Sequence, residues 1–340
     1  MSRLFSIPLV AAASFFISAQ AQADIEVLTS IKPLQLIAAA VQDGVGKPAV
    51  LLPPGASPHH YAMRPSDVRQ IRSADLFYWI GPDMEAFLAP VLEGRKGPSV
   101  AVQSIPGLTV RHFGEASGAD GHDHDADHDH DHDHGGHDAE EHEAHAHAAS
   151  DEHEHDEHDD HDHDHRPGSL DAHLWLLPAN AVVIAESMAH DMAKADPDNA
   201  KRYQANLAAF KQRLGALDEK LGKRLGETRT KPFFVFHEAY EYFEAAYGIR
   251  HAGVFTAGGE GQPGARHVAA MRERLEQAGP SCVFYEPPVR PRLADSLIRG
   301  LPVKVAALDA LGYGIDASAS GYEQLIDNLG SALAGCLESL

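Results

Sequence analysis

Histidine is abundant in this sequence, and most of the histidines lie in one long segment. Sixteen of the 24 histidines lie within residues 120–165, alternating with acidic residues as in DHDHDHDHGGHD. Imidazole is a common zinc ligand and is largely neutral near pH 7, so we expect this segment to bind metal. A solubilising spacer would explain the acidic residues but not the histidines. The histidines of the segment are His122, His124, His128, His130, His132, His134, His137, His142, His145, His147, His153, His155, His158, His161, His163 and His165.

Four candidate metal ligands outside this segment lie close to short apolar runs. His59 follows AVLLPPG, His173 lies in SLDAHLWLLP, His237 ends FFVFH, and Asp309 ends VKVAALD. Open parallel sheets bind ligands at the carboxyl ends of their strands, so four loops can direct three imidazoles and a carboxylate into one cleft. Taken singly, each residue has a structural interpretation, for example a hydrogen-bonded histidine or an N-cap aspartate. Their joint placement favours a metal site. Histidines without such placement, predicted to be structural or solvated, are His112, His190, His251 and His267.

The acidic character of the chain belongs to the histidine-rich segment. The net charge is −22, but residues 120–165 hold 20 acidic residues and no Lys or Arg, which leaves 30 acidic against 28 basic residues elsewhere. The segment has almost no large apolar side chain, so we predict that it is disordered without metal. The rest of the chain is nearly neutral and has no basic stripe, which argues against a nucleic-acid partner.

Short apolar runs alternate with helical patterns on both sides of this segment. Examples are IEVLTS before IKPLQLIAAAVQ, and DLFYWIGP before MEAFLAPVLE. Such alternation is typical of a parallel α/β sheet. Between the two alternating regions, residues 197–226 have strong helix formers and an apolar stripe, which predicts one long helix. The expected fold is α/β, with a first half over residues 24–195, a linking helix within 196–228 and a second half over 229–340.

The amino terminus has the pattern of an export signal. One Arg and an apolar run precede Ala21-Gln22-Ala23, the small-x-small pattern before a signal-peptidase cut. A membrane anchor is the weaker interpretation, because the run is shorter than the ~20 residues needed to span a bilayer. We expect residues 1–23 to be a signal peptide, cleaved after Ala23, and the mature protein to be soluble in the periplasm.

Only two cysteines occur, Cys282 and Cys336. In an oxidising compartment an even pair favours a structural disulfide over a redox or metal pair, with two buried thiols as the alternative.

Several long motifs occur in a characteristic order along the chain: LLPPGASPHHYAMRPSDVRQIRSADLFYWIGPDMEAFL, DAHLWLLP, FFVFHEAYEYFE, FTAGGEGQPGARH, SCVFYEPPVRP and LDALG. Through these motifs the sequence resembles the ZnuA type of zinc-binding periplasmic component of bacterial ABC uptake systems. The resemblance implies two Rossmann-like lobes of the periplasmic-binding type with parallel sheets, joined by one long rigid helix, and a metal ion between them. It also implies a disulfide between the two cysteines, and a monomer is the default.

Transferred residue by residue, the resemblance implies His59, His173 and His237 as the metal ligands. Some members have Glu immediately before the first ligand, where this chain has Pro58. The fourth position is therefore open to Asp309, to water or to His60. Three imidazoles and at most one carboxylate favour Zn(II), whereas Mn(II) prefers more oxygen ligands.

The expected function is capture of zinc in the periplasm and delivery to an inner-membrane ABC permease with its cytoplasmic ATPase. The histidine-rich segment is expected to act as an accessory collector of zinc. One alternative is a metal buffer in which only that segment matters. Another is a zinc hydrolase, because three histidines with an open position also suit catalysis and Glu238 or Glu286 could act as a base. No HExxH motif or nucleophile elbow supports the hydrolase.

Overall fold

The computed structural model describes residues 25–114, 168–256, 265–288 and 290–340. The predicted signal peptide and the histidine-rich segment lie outside these ranges.

The first lobe is built on a four-stranded sheet in the order β2-β1-β3-β4, with all neighbours parallel. Strand β3, Leu76–Trp79, is apolar and buried at every position, as expected when helices cover both faces of a parallel sheet. Its strands are β1 Val27–Thr29, β2 Ala49–Val50, β3 Leu76–Trp79 and β4 Ser99–Ala101, and its helices are α1 Lys32–Val41, α2 Pro65–Ser73, α3 Pro82–Glu85 and α4 Ala89–Leu92. The stretch MEAFLAPVLE, predicted as one helix, is divided into α3, a 3₁₀ turn and α4.

The second lobe repeats this plan with the order β6-β5-β7-β8, again with parallel neighbours. Its strands are β5 Phe233–His237, β6 Gly253–Thr256, β7 Ser281–Tyr285 and β8 Val303–Ala307, and its helices are α7 Glu241–Tyr247, α8 Ala265–Ala278, α9 Arg292–Leu297 and α10 Gly321–Glu338. Strand β6 is not among the strands predicted from sequence, because GVFT is too short to show a period. The two parallel sheets confirm the predicted α/β class.

Helices α5, Pro178–Ala195, and α6, Ala200–Gly226, lie between the two sheets in sequence. The 27 residues of α6 span about 40 Å at 1.5 Å per residue. The buried positions of α6 include most of the predicted apolar stripe, and they are Tyr203, Leu207, Phe210, Leu214, Leu221 and Leu225. Helix α6 packs against α5, α1 of the first lobe and α10 of the second, so one continuous core joins the lobes.

The carboxy-terminal helix is fixed to the second sheet and also packs against the first lobe. A disulfide joins Cys282 in β7 to Cys336 in α10, with their Cα atoms 6.2 Å apart, which confirms the predicted pair. Helix α10 also contacts α1, and the hydroxyl of Tyr322 donates to the carbonyl of Trp175 at 2.6 Å. The two lobes are therefore held together by buried contacts as well as by the linking helix. Among the described helices, none is long and apolar enough to cross a membrane.

Candidate metal centre

His59 lies in the loop between β2 and α2 of the first lobe. The prolines and glycine of LLPPGASP prevent a helix from forming until Pro65, so the chain beyond β2 remains a loop at the carboxyl edge of the sheet. The backbone N–H of His59 lies 3.2 Å from the hydroxyl of Ser57. His59 is partly buried.

His173 lies immediately before a 3₁₀ turn, Leu174–Leu176, that leads into α5. Its side chain is 3% exposed, and its Nδ1 lies 2.8 Å from Oδ1 of Asp171. The same carboxylate oxygen accepts the backbone N–H of His173 at 3.0 Å. Asp171 therefore fixes both the backbone and the ring of His173.

His237 is the last residue of β5 in the second lobe. Its Nδ1 lies 3.0 Å from Oε2 of Glu286, which follows β7 directly. The hydroxyl of Tyr240 lies 3.0 Å from the other oxygen of Glu286 and 2.6 Å from the carbonyl of Leu308. Strands β5 and β7 are neighbours at the centre of the sheet, where the strand order reverses, and ligands bind at such switch points.

The three histidines converge between the lobes. Their ring centroids are 5.6 Å apart for His59 and His173, 5.6 Å for His59 and His237, and 5.1 Å for His173 and His237. One nitrogen from each ring lies within 4.8 Å of the others, and in the described parts of the chain no other set of three His, Cys, Asp or Glu residues meets this condition. Three imidazole nitrogens at this spacing suit a tetrahedral zinc ion with one further position.

Asp309 does not belong to this group. Its Oδ1 accepts the backbone N–H groups of Leu311 and Gly312, at 3.0 and 2.9 Å, and Oδ2 accepts that of Tyr313. Burial raises the pKa of Asp309, although these three N–H groups oppose the change. The structure thus uses the carboxylate to shape the loop after β8. His60 also lies apart, being exposed with its ring 6.5 Å from that of His59.

A cleft lies next to the histidine group, between the loop after β2 and the loop after β8. Pro58 and Pro287, which adjoin His59 and Glu286 in sequence, line its wall together with Asp309. The cleft therefore lies beside the site, with one wall from each lobe.

The other histidines within the described ranges have separate surroundings. His190 and His267 are exposed, His112 forms an isolated bridge with Leu170, and Nδ1 of His251 lies 2.7 Å from Glu244. Burial opposes protonation of His251, but the charge of Glu244 outweighs it and raises the pKa of this histidine to about 9. His251 is therefore a partly buried ion-pair residue, in line with its predicted structural role.

The two carboxylates beside the histidine group differ in their electrostatics. Burial raises the pKa of Asp171 to about 7, opposed by the hydrogen bond from the backbone N–H of His173 and by the nearby charges of Arg111, His237 and His59. Burial also acts to raise the pKa of Glu286, but the charge and hydrogen bond of His237 bring it below its ordinary value. Glu286 is therefore ionised at neutral pH and acts only as a hydrogen-bond acceptor.

Sequence reasoning did not assign Asp171, Tyr240 or Glu286 to the metal site. From sequence, Glu286 is a candidate only as the base of a hydrolase, although it follows the apolar run SCVFY just as His237 follows FFVF. The rule that ligands lie at the carboxyl ends of parallel strands, called the strand-end rule below, could therefore have identified Glu286. Nothing in the sequence marks Tyr240, because its contact with Leu308 joins residues far apart in the chain.

Two parallel-sheet lobes, a long connecting helix and histidines converging between the lobes define a metal-binding solute-binding protein. Its fold is similar to that of a crystal structure of ZnuA, with a TM-score of 0.66, 20% identity, and coverage of 91% of this chain and 99% of that one. It is also similar to the SBP FpvC from Pseudomonas aeruginosa in complex with Mn2+, with a TM-score of 0.68, 18% identity, and coverage of 93% and 99%.

Sequence comparison gives the family. Residues 27–336 match the family described as zinc-uptake complex component A, periplasmic. The High-affinity zinc uptake system protein ZnuA of Brucella abortus (strain 2308) is 40% identical over 313 residues, covering 92% of this chain and 91% of that protein. The chain belongs to the ZnuA family of periplasmic zinc-uptake components. These proteins bind and carry metal and are not enzymes, so the hydrolase alternative is discarded.

Proposed function

We propose that this protein captures Zn(II) between its lobes with His59, His173 and His237 and delivers it to an inner-membrane ABC permease driven by a cytoplasmic ATPase. The observation that carries the proposal is the convergence of three imidazole nitrogens within 4.8 Å. His59 belongs to the first lobe and His237 to the second, so the ion would join the two lobes. Release would then require these loops to separate only slightly.

The donor set supports zinc as the cargo. Three neutral nitrogen ligands suit Zn(II), whereas Mn(II) sites contain more oxygen. Other late first-row metals would also bind three imidazoles, in the order of their general affinities. Availability in the periplasm therefore contributes to selection as well as the site.

We propose that water occupies the fourth position. Asp309 is the predicted alternative, but its two oxygens already accept three backbone N–H groups from residues 311–313. Recruitment of Asp309 to the ion would disrupt that loop. Asp309→Asn keeps the oxygen that accepts the N–H groups of Leu311 and Gly312 and loses only the acceptor for Tyr313. We therefore expect this variant to bind zinc about as tightly as the wild type. A loss of tenfold or more would identify Asp309 as a ligand.

The principal test is a competitive zinc titration of two proteins that both lack residues 120–165. One is otherwise intact, and the other carries His59→Ala, His173→Ala and His237→Ala. We expect the first to bind one zinc ion tightly and the second to bind none. Equal loss of tight binding in both would show that the histidine-rich segment is itself the site, as the metal-buffer alternative requires.

A matched control shows whether the loss is specific. His190 and His267 are exposed, lie on helices α5 and α8, and do not belong to the histidine group. Changing both to Ala removes two histidines without altering the proposed site. We expect tight binding to survive in this control.

We propose that the histidine-rich segment collects zinc for this site. Its composition supports weak, multivalent binding, which raises the local concentration of the ion. The chain on either side is held in an antiparallel contact, in which Phe113 N–H donates to Ser169 at 2.9 Å and Asp171 N–H donates to Arg111 at 2.9 Å. The segment thus rejoins the described chain close before His173. Deletion of residues 120–165 is expected to reduce growth in zinc-poor medium, and unchanged growth would contradict the role.

We also propose that export removes residues 1–23. The small-x-small pattern ending at Ala23 supports cleavage there. Mass spectrometry of the protein from the periplasm should give a chain that begins at Asp24.

A further inference from the structure

Glu286 forms the link between the third histidine and the rest of the second lobe. It follows β7, whereas His237 ends the neighbouring strand β5, and the two residues are 49 positions apart in sequence. One carboxylate oxygen faces Nδ1 of His237, and the other faces the hydroxyl of Tyr240. Because Tyr240 also reaches the carbonyl of Leu308, this unit connects the carboxyl ends of β5, β7 and β8.

The contact determines which nitrogen of His237 faces the ion. A carboxylate can only accept a hydrogen bond, so Nδ1 of the neutral ring must carry the proton. The lone pair is then on Nε2, which is the atom available to a metal. A negatively charged acceptor on Nδ1 also makes the ring a stronger donor through Nε2.

His173 also has a carboxylate partner at Nδ1, but that partner is close to it in sequence. Its carboxylate partner, Asp171, is only two residues away and bonds to the backbone as well as the ring. His237 instead depends on a residue from another strand. The position of its ring therefore depends on the packing of the second lobe.

We propose that Glu286 is a positioning residue for zinc capture, which holds His237 in its Nδ1–H form with Nε2 directed at the ion, and that Tyr240 orients Glu286. This inference rests on the proposed function, since it assigns His237 as a ligand. Glu286 acts through His237 and does not bind the ion. Loss of such a partner typically weakens metal binding by about 10–100-fold.

The test compares Glu286→Gln with Glu244→Gln in the full-length mature chain, using zinc competition against a chelator that reports only the tightest site. Glu244 also places a carboxylate oxygen against Nδ1 of a histidine, His251, at 2.7 Å and outside the histidine group. We expect zinc binding to weaken at least tenfold in Glu286→Gln and to stay within twofold of wild type in Glu244→Gln. Binding by Glu286→Gln within twofold of wild type would overturn the proposal.

Two spectroscopic measurements separate positioning from other roles. The ¹⁵N shifts of His237 in the metal-free protein should show the Nδ1–H form in wild type and a mixture of tautomers in Glu286→Gln, which a purely structural role would not produce. The visible spectrum of the Co(II)-loaded protein should keep the bands of the wild type, because the donor atoms are unchanged. A Co(II) spectrum that shows loss of an oxygen ligand would make Glu286 a ligand and overturn the proposal.

Tyr240→Phe provides a second variant if Glu286→Gln fails to fold. It removes one hydroxyl and leaves both Glu286 and His237 in place. We expect zinc binding several-fold weaker than wild type, and unchanged binding would count against the proposal. Failure of the proposed function is distinguishable, because the variant with all three histidines changed to Ala would then bind zinc as tightly as the wild type.

Discussion

Glu85 provides a quantitative test of the electrostatics inside the first lobe. Its side chain is 0% exposed, and Oε2 accepts the backbone N–H of Ile80 at 2.7 Å. Burial raises the pKa of this carboxyl from 4.5 to about 7, opposed by hydrogen bonds from Ser30 and the backbone. The folded protein therefore keeps this proton in a pH range where the unfolded chain has released it.

The sign of the effect follows from this difference. Because the folded state holds more protons between about pH 4.5 and 7, the free energy of unfolding falls as the pH rises through this window. A tenfold difference in proton affinity is worth about 1.4 kcal/mol, so a change in pKa from 4.5 to about 7 corresponds to about 3 kcal/mol. Glu85→Gln removes the ionisation and keeps an acceptor for Ile80. As the pH rises from 4 to 8, we expect the free energy of unfolding of this variant to increase by about 3 kcal/mol relative to that of the wild type.

Urea unfolding of the metal-free proteins at several pH values measures this difference. A chelator is present throughout, so that zinc does not contribute to stability. The exposed Glu93→Gln controls for the removal of one negative charge. If the unfolding free energies of wild type and Glu85→Gln stayed parallel from pH 4 to pH 8, the burial argument would be refuted.

Two further predictions concern the connections between elements. The disulfide closes a loop with a sequence separation of 54 residues. Replacing Cys282 and Cys336 with Ala should therefore lower the free energy of unfolding, measured with urea, by about 4 kcal/mol. A loss below about 1 kcal/mol would contradict the loop-closure argument. The hydroxyl of Tyr242 accepts the N–H of Arg111 at 2.8 Å and donates to the carbonyl of Asp171 at 2.9 Å. Tyr242→Phe leaves both backbone groups without this partner and should lower the free energy of unfolding by about 2–4 kcal/mol. Calorimetry should show a lower melting temperature. An unchanged melting temperature would show that these hydrogen bonds contribute little.

The rule that ligands lie at the carboxyl ends of strands predicted from sequence that His59, His173 and His237 would lie together. It placed His59 and His237 at the carboxyl ends of strands in separate lobes, and the structure brings them to one point with His173. His59 follows its strand by a loop rich in Pro and Gly, and His173 precedes a 3₁₀ turn. A local pattern sufficed for His237, because an apolar run that ends in a histidine places that side chain at the sheet edge. The same reasoning predicted the long helix, since the apolar stripe of α6 repeats with the helical period.

Tertiary structure alone decided what surrounds the histidines. Asp309 satisfies the strand-end rule as well as His237 does, yet its carboxylate accepts backbone N–H groups from the following loop. Glu286 reaches His237 across 49 residues because β5 and β7 are adjacent in the sheet. The sequence determined which side chains lie at the sheet edge. Which of them meet depends on strand order and on distances of a few ångströms, and these arise only when the two lobes pack together.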